Sequence, residues 1–204
     1  MMKQITTIFL LAMCIANATQ AKDKVAYFAG GCFWCTEADF EKIGGVGVVI
    51  SGFMGGEKEN PSYEDVVYGR TTHRETVEVH YDDSRVSYQQ LLSAFWRMHD
   101  PTDGKGSFVD RGRHYSSAIY YVDEEQKRLA EGAIAALDKS GKFEQPIATE
   151  VAKAQGFYPA DAYHQDYYKK AATKYKYYRF RSGRDQFIKF YWKDDKTVYQ
   201  SLAR

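Results

Sequence analysis

Lys24-Val25-Ala26-Tyr27-Phe28-Ala29-Gly30-Gly31-Cys32-Phe33-Trp34-Cys35 is the stretch that decides how this chain is read. Lys24 to Ala29 is a short apolar run closed by Gly30 and Gly31, the pattern of a buried strand. Thr36 to Ile43 then places Phe40 and Ile43 among charged residues at helical spacing. The strand therefore delivers two cysteines to the start of a helix, where unpaired N–H groups and the positive end of the helix dipole stabilise a thiolate. A lowered pKa and the nucleophile's role are expected for Cys32. Cys35, one turn further in, is placed to attack an oxidised Cys32. Cβ atoms three residues apart on a helix are about 5 to 6 Å apart, and a disulfide needs about 3.5 to 4.5 Å, so the first turn must tighten or fray. The bond so formed is expected to be strained and easily reduced.

Outward from that stretch, Val46 to Phe53 and Thr76 to Tyr81 read as strands, the second alternating Val77, Val79 and Tyr81 against Glu78 and His80. Ser87 to His99 carries Leu91, Leu92, Phe95 and Trp96 at helical spacing behind a Ser N-cap. An aromatic strand over Tyr115 to Val122 precedes an amphipathic helix over Asp123 to Ser140. A strand over Ile147 to Val151 and a helix over Ala160 to Ala172 complete the regular part, and Gly104 to Gly112 is the longest breaker segment. Strands and helices alternate with connections of unequal length. This predicts an α+β fold, with helices packed on a mixed sheet as two layers around a ferredoxin-like core and with long functional loops, and it argues against a doubly wound nucleotide fold.

The 204 residues are 44% hydrophobic, enough for one sizeable core, and no repeat or linker divides them. The net charge of +1 points to no nucleic acid, anionic membrane or acidic substrate. Lys3, the apolar run Ile5 to Ala18, and Ala16, Ala18 and Ala21 read as a cleaved secretory signal over residues 1–21. A single catalytic domain over 22–204 is the expectation. The run is shorter than the roughly 20 residues that span a bilayer, so no stable membrane insertion is expected. Lipid attachment at Cys14 is the lesser reading, and an exported protein, periplasmic or secreted, follows from either.

Once the signal is removed, Cys32 and Cys35 are the remaining cysteines. A staple closing so short a loop removes little chain entropy. A closed zinc site wants four ligands, and neither a second cysteine pair nor a tight spacing among His73, His80, His99, His114 and His164 supplies them. Redox chemistry without a metal is the better use of the pair. A C-x-x-C by itself also suits a thioredoxin-like protein. Phe33 and Trp34 favour a different centre, an apolar wall beside a thiolate suited to a small hydrophobic group.

At this point the sequence resembles the A-type peptide-methionine sulfoxide reductases, specific for the S epimer. The matching segments are Gly31 to Trp34, Asn60-Pro61-Ser62-Tyr63, His73-Arg74-Glu75, His99-Asp100-Pro101, Asp110 with Tyr115, and Tyr163-His164-Gln165-Asp166-Tyr167. They span nearly all of the chain beyond the signal. The resemblance implies that Cys32 attacks the sulfoxide sulfur, that Glu75 donates a proton to the departing oxygen, and that the Tyr63 and Tyr115 phenols hydrogen-bond that oxygen. It further implies that Phe33 and Trp34 cradle the terminal methyl and that Asp110 arranges polar groups and water. A donor carboxyl must stay protonated near neutral pH, which burial and a neighbouring thiolate both favour.

The expected product on Cys32 is a sulfenic acid, which condenses with a nearby thiol. Many relatives carry glycine at the Cys35 position and a resolving cysteine in the tail, which here has none. A Cys32–Cys35 disulfide is thus implied, with electrons from a thioredoxin-like dithiol donor, no bound cofactor, and free methionine sulfoxide or oxidised proteins as substrate. A monomer is expected. Thr72-His73-Arg74-Glu75 and His114-Tyr115-Ser116 depart from the family's usual Gly-His-Ala-Glu and Gln-Tyr-Arg, which bears on the pocket rim.

Two other functions compete. One is an exported thioredoxin-like thiol–disulfide oxidoreductase. The other is binding of single-stranded nucleic acid by the basic and aromatic residues of Tyr167 to Arg184, against which stands a tail wrapped around the active site with its charges in solvent.

Overall fold

The computed structural model describes residues 23–193; the expected signal segment 1–21 lies outside them. β1 (Asp23–Ala29) runs into α1 (Phe33–Phe40), followed by β2 (Val46–Met54), a short α2 (Tyr63–Val67), β3 (Arg74–Asp82) and α3 (Tyr88–Phe95). A small hairpin of β4 (Gly106–Ser107) and β5 (Asp110–Arg111) leads through a 3-10 turn at Arg113–Tyr115 to β6 (Ala118–Tyr121) and α4 (Glu124–Lys139). β7 (Glu150–Lys153), β8 (Tyr158–Pro159), α5 (Tyr167–Lys170), α6 (Ala172–Arg181) and α7 (Arg184–Trp192) complete the described chain.

The main sheet has the order β7-β6-β1-β3-β2-β8. Its four central strands pair antiparallel, with α1 between β1 and β2 and α3 between β3 and β6, which is the ferredoxin-like β-α-β-β-α-β pattern. β7 adds in parallel beside β6, so the sheet is mixed, as expected. The strand period of two sorts side chains between its faces. Phe28, Phe53, Val77, Val79 and Ile119 join Phe40, Leu91, Leu92, Phe95 and Ala130 of the helices in the main core. Ala29, Met54, Ala118 and Tyr120 gather in a smaller cluster with Phe157.

Local chemistry sets the helix starts. Ser87 and Gln90 form a capping box for α3, Ser62 and Asp65 do so for α2, and Asp123 caps α4 through the Gln126 N–H. α1 lacks such a cap, because Cys32 at its N-cap makes no side-chain capping bond.

Four expectations need correction. α1 begins at Phe33, three residues before the expected Thr36, so the motif itself forms the first turn. α3 ends at Phe95, beyond which Arg97 and Met98 form tighter three-residue turns. Tyr115 belongs to the 3-10 turn that follows Gly112 (φ 118°), and the strand begins only at Ala118. The segment from Ala160 is turns as far as Asp166, whose φ of 54° breaks any helix, and α5, α6 and α7 follow.

Candidate active site

The site lies where β1 passes into α1. Gly31 turns the chain with φ 87°, and a Cβ there would stand 2.4 Å from the Ser107 Cβ, so glycine is required on both counts. Cys32 then sits at the N-cap, 5% exposed, and its carbonyl accepts from Cys35 N at 3.1 Å and Thr36 N at 3.2 Å. The Cys32 carbonyl is thus shared between an i+3 and an i+4 donor at the first turn. Both cysteines are free thiols.

Glu75 supplies the missing cap. It shares the core-facing side of β3 with Val77 and Val79, and its Oε2 accepts from Phe33 N at 2.9 Å. At 2% exposure its carboxyl is held well above the usual carboxylate range, chiefly by burial, with Asp110 and Cys35 adding and the Phe33 amide opposing. A carboxyl that stays protonated is thus set beside the thiol. Tyr63, at the start of α2, is hydrogen-bonded with Tyr115, and both phenols are pushed up by burial and by Glu75, so both remain proton donors.

The aromatic wall is larger than Phe33 and Trp34. Phe33 packs 5.9 Å from Phe53 and 6.5 Å from Tyr63, measured between ring centroids. Trp34 stacks on Tyr167 at 3.8 Å and donates through Nε1 to Nδ1 of His164 at 3.2 Å. Burial lowers the His164 pKa, which leaves its ring neutral and able to accept. His164 also lies 4.4 Å from the Tyr63 ring centroid. Gln165 accepts from Ser51 N and donates to the carbonyls of Ser51 and Ala160, each at 2.8 Å, tying this loop to β2.

Asp110 arrives from the β4–β5 hairpin and accepts a short hydrogen bond from Tyr178 of α6. Tyr178 also acts on the Cys32 thiol, opposing the larger causes that push it up, so Asp110 meets the thiol through Tyr178. Tyr178, His164, Tyr167 and Phe53 are site residues that sequence reasoning did not assign. Of these, His164 and Tyr167 lay in a quoted motif segment, and Tyr178 lay in the basic aromatic tail.

The cysteine pair corrects the expected electrostatics. Burial, the hydrogen bond with Cys35 and the Glu75 carboxyl push the Cys32 thiol up. Cys35 is lowered to about 7, first because Cys32 donates to it and then because Arg184 and Arg179 face it, against its own burial. Of the two, Cys35 is the sulfur drawn toward the thiolate and Cys32 the one pushed toward the thiol. The tail is corrected likewise, since Arg184 is fully buried and Arg179 pairs with Asp39, while Lys174, Lys176 and Arg181 are exposed. Among the described residues Glu37, Glu41 and Asp166 are close enough to share an ion, but Lys169 Nζ already contacts Glu41 at 2.6 Å and Asp166 at 2.7 Å.

A thiol pair at a helix start, facing a neutral acid, two phenols and an aromatic wall, defines a thiol-dependent oxidoreductase. A family model described as peptide methionine sulfoxide reductase matches residues 24–196, and the chain belongs to that family. It is 49% identical over 168 residues to the peptide methionine sulfoxide reductase MsrA of Listeria monocytogenes, covering 82% of this chain and 95% of that one. It is 45% identical over 188 residues to the MsrA/MsrB protein of Vibrio cholerae, covering 92% of this chain and 50% of that longer one. The chain thus spans about half the length of the second relative. Among solved structures it superposes on reduced Mxr1 from Saccharomyces cerevisiae with a TM-score of 0.68 at 30% identity, over 74% of this chain and 87% of that one. For methionine sulfoxide reductase A of Corynebacterium diphtheriae the TM-score is 0.65 at 32% identity, over 74% and 76%. The competing thioredoxin-like reading finds no support in these likenesses.

Proposed function

We propose that this chain reduces the S epimer of methionine sulfoxide, free or in proteins, to methionine, and so repairs oxidised proteins. The observation that carries the reading is the Glu75 carboxyl, buried, pushed toward its protonated form and bonded to the first amide of the helix that presents Cys32.

Cys32 passes its proton to the Cys35 thiolate and attacks the sulfoxide sulfur. The sulfur–oxygen bond breaks as Glu75 hands its proton to the oxygen, and Tyr63 and Tyr115 donate hydrogen bonds to the charge that develops there. The hydroxyl so formed passes to the Cys32 sulfur as the bond between the two sulfurs breaks, methionine leaves, and Cys32 is left as a sulfenic acid. Phe33 and Trp34 hold the substrate methyl, and Asp110 orients Tyr178 toward the sulfur. Cys35 then displaces water from Cys32 and forms the disulfide. A thioredoxin-like dithiol returns two electrons, and no bound cofactor takes part.

The chain is read as a monomeric catalytic domain over 22–204, exported behind the signal at 1–21. The basic start, apolar run and small-residue exit support this, and among the described residues no helix is long and apolar enough to cross a membrane.

The test is an epimer-resolved assay with a dithiol reductant. Loss of the S epimer alone is expected, with no turnover by Cys32→Ser. Turnover that survives that substitution would overturn the reading. With the reductant left out, Cys35→Ser is expected to give one methionine per chain and no disulfide. N-terminal sequencing of exported material tests the cleavage.

A further inference from the structure

Arg184, the first residue of α7, is 0% exposed. Burying a guanidinium costs several kcal/mol unless opposite charge and hydrogen bonds offset it. Its Nη1 donates to the carbonyls of Met98 and Gly30, the second at 3.4 Å, and its carbon lies 4.9 Å from the Phe108 ring centroid. Nε and Nη2 have no hydrogen-bond acceptor, and among the described residues no carboxylate forms an ion pair with it. Gly30 stands two residues before Cys32, and a Cβ on Gly31 would lie 3.5 Å from Nη2, so the unmatched cation sits against the turn that carries the thiols.

The other groups facing Cys35 are engaged with one another. Arg179 Nη1 contacts both Asp39 oxygens at 2.9 Å and the Tyr175 hydroxyl at 3.1 Å. Tyr178 donates to Asp110, and Glu75 accepts from Phe33. Asp110, whose carboxyl Arg184 pulls down, and the thiol pair are the acidic groups that face Arg184 among the described residues, and Cys35 is foremost among the groups that raise the Arg184 pKa.

We propose that Arg184 is a positioning residue that holds the negative charge of the reduced pair on Cys35 and thereby prepares Cys35 to close on the Cys32 sulfenic acid. The inference rests on the proposed reaction and concerns its second half. Cys35, protonated when Cys32 was activated, gives that proton to the Glu75 carboxylate and becomes a thiolate beside Arg184. It attacks the Cys32 sulfur, the S–S bond forms and the S–O bond breaks, and the departing hydroxide takes the proton from Glu75 to leave as water. The Cys35 sulfur is oxidised and the Cys32 sulfur reduced.

The experiment titrates the Cys35 thiolate by its ultraviolet absorbance in the Cys32→Ser protein, whose serine hydroxyl keeps a donor to Cys35. With Arg184 in place, Cys35 is expected to ionise below the ordinary cysteine value of about 8.5. Adding Arg184→Met should shift the midpoint upward by at least about one pH unit, a tenfold loss of thiolate, and Arg184→Lys should restore most of it. With Cys32 present, Arg184→Met should slow disulfide closure after the methionine burst roughly two- to fourfold at neutral pH, because the more basic thiol is a better nucleophile but a scarcer one. Closure should recover as pH rises. The same midpoint in the Met variant, or slower closure that raised pH does not recover, overturns the proposal. If the Met variant fails to fold, an ordinary or higher Cys35 midpoint with Arg184 intact overturns it equally. A protein that forms no methionine but shows the lowered midpoint sinks the function and leaves the charge pairing standing.

Discussion

Glu75 does two jobs that pull in opposite directions. In the proposed reaction it serves as a protonated acid, but burying it costs the fold once the unfolded chain would have ionised it. Its folded pKa is raised, so its favourable contribution is complete below the unfolded value of about 4.3 and is lost as pH climbs from there toward the folded value. Glu75→Gln keeps an acceptor for the Phe33 amide and removes the titration. Methionine formation should fall by about 10² to 10⁴, the usual contribution of a general acid. Thermal melts of the same variant should show it gaining on the wild type as pH rises above about 4.3, by at most about 1.4 kcal/mol per pH unit. A gap that stays constant from pH 5 to 8 would mean that Glu75 titrates normally. In the wild type, turnover should fall on the alkaline side as Glu75 loses its proton.

At the scale of elements, the site is a junction held by backbone bonds and tight turns. Gly31→Ala meets both a positive φ and the Ser107 side chain, so it should cost roughly 1 to 3 kcal/mol from the backbone alone and more from the overlap. It should also slow alkylation of Cys32 by moving the turn. Glu37 of α1 holds the loop before α5, accepting from Asp166 N at 2.9 Å and from Ser51 Oγ at 3.3 Å. Burial raises its pKa to about 7. Glu37→Gln preserves both bonds and should be neutral at pH 5. Glu37→Leu strands the Asp166 amide and should cost about 1 to 3 kcal/mol in a denaturant titration.

Across the whole molecule, the helical layer α5 to α7 folds back over the start of α1 and completes the site. Its main tether is the ion pair of Arg179 with Asp39, whose side chains are 15% and 3% exposed. Asp39→Asn leaves the mostly buried guanidinium with the exposed Asp185 as its remaining counter-charge, so the loss should fall below the roughly 3 to 5 kcal/mol of a fully unpaired buried charge. Hydrogen exchange should then rise in α6 and α7 while the amides of β1 and β3 keep their protection. Equal loss of protection in the sheet would show that the layer is not a separate unit of stability.

How much was legible follows from the range of each interaction. Strand and helix periodicity, the capping serines Ser62 and Ser87, and the Cys32-Phe33-Trp34-Cys35 turn depend on neighbours a few residues apart, so the α+β class and the centre could be read along the chain. Family resemblance added Glu75, Tyr63, Tyr115 and Asp110, and the structure brings these together at Cys32. Tyr178 and Arg184 stayed hidden because they act on residues far along the chain and resemble an ordinary solvated tail, and His164, though inside a quoted segment, shows its contact with Trp34 only once the loop is folded against α1. Which sulfur holds the charge was also beyond the sequence. The helix start favours an anion at either cysteine, whereas burial pushes Cys32 up and the pairing with Cys32, together with Arg184 and Arg179, draws Cys35 down.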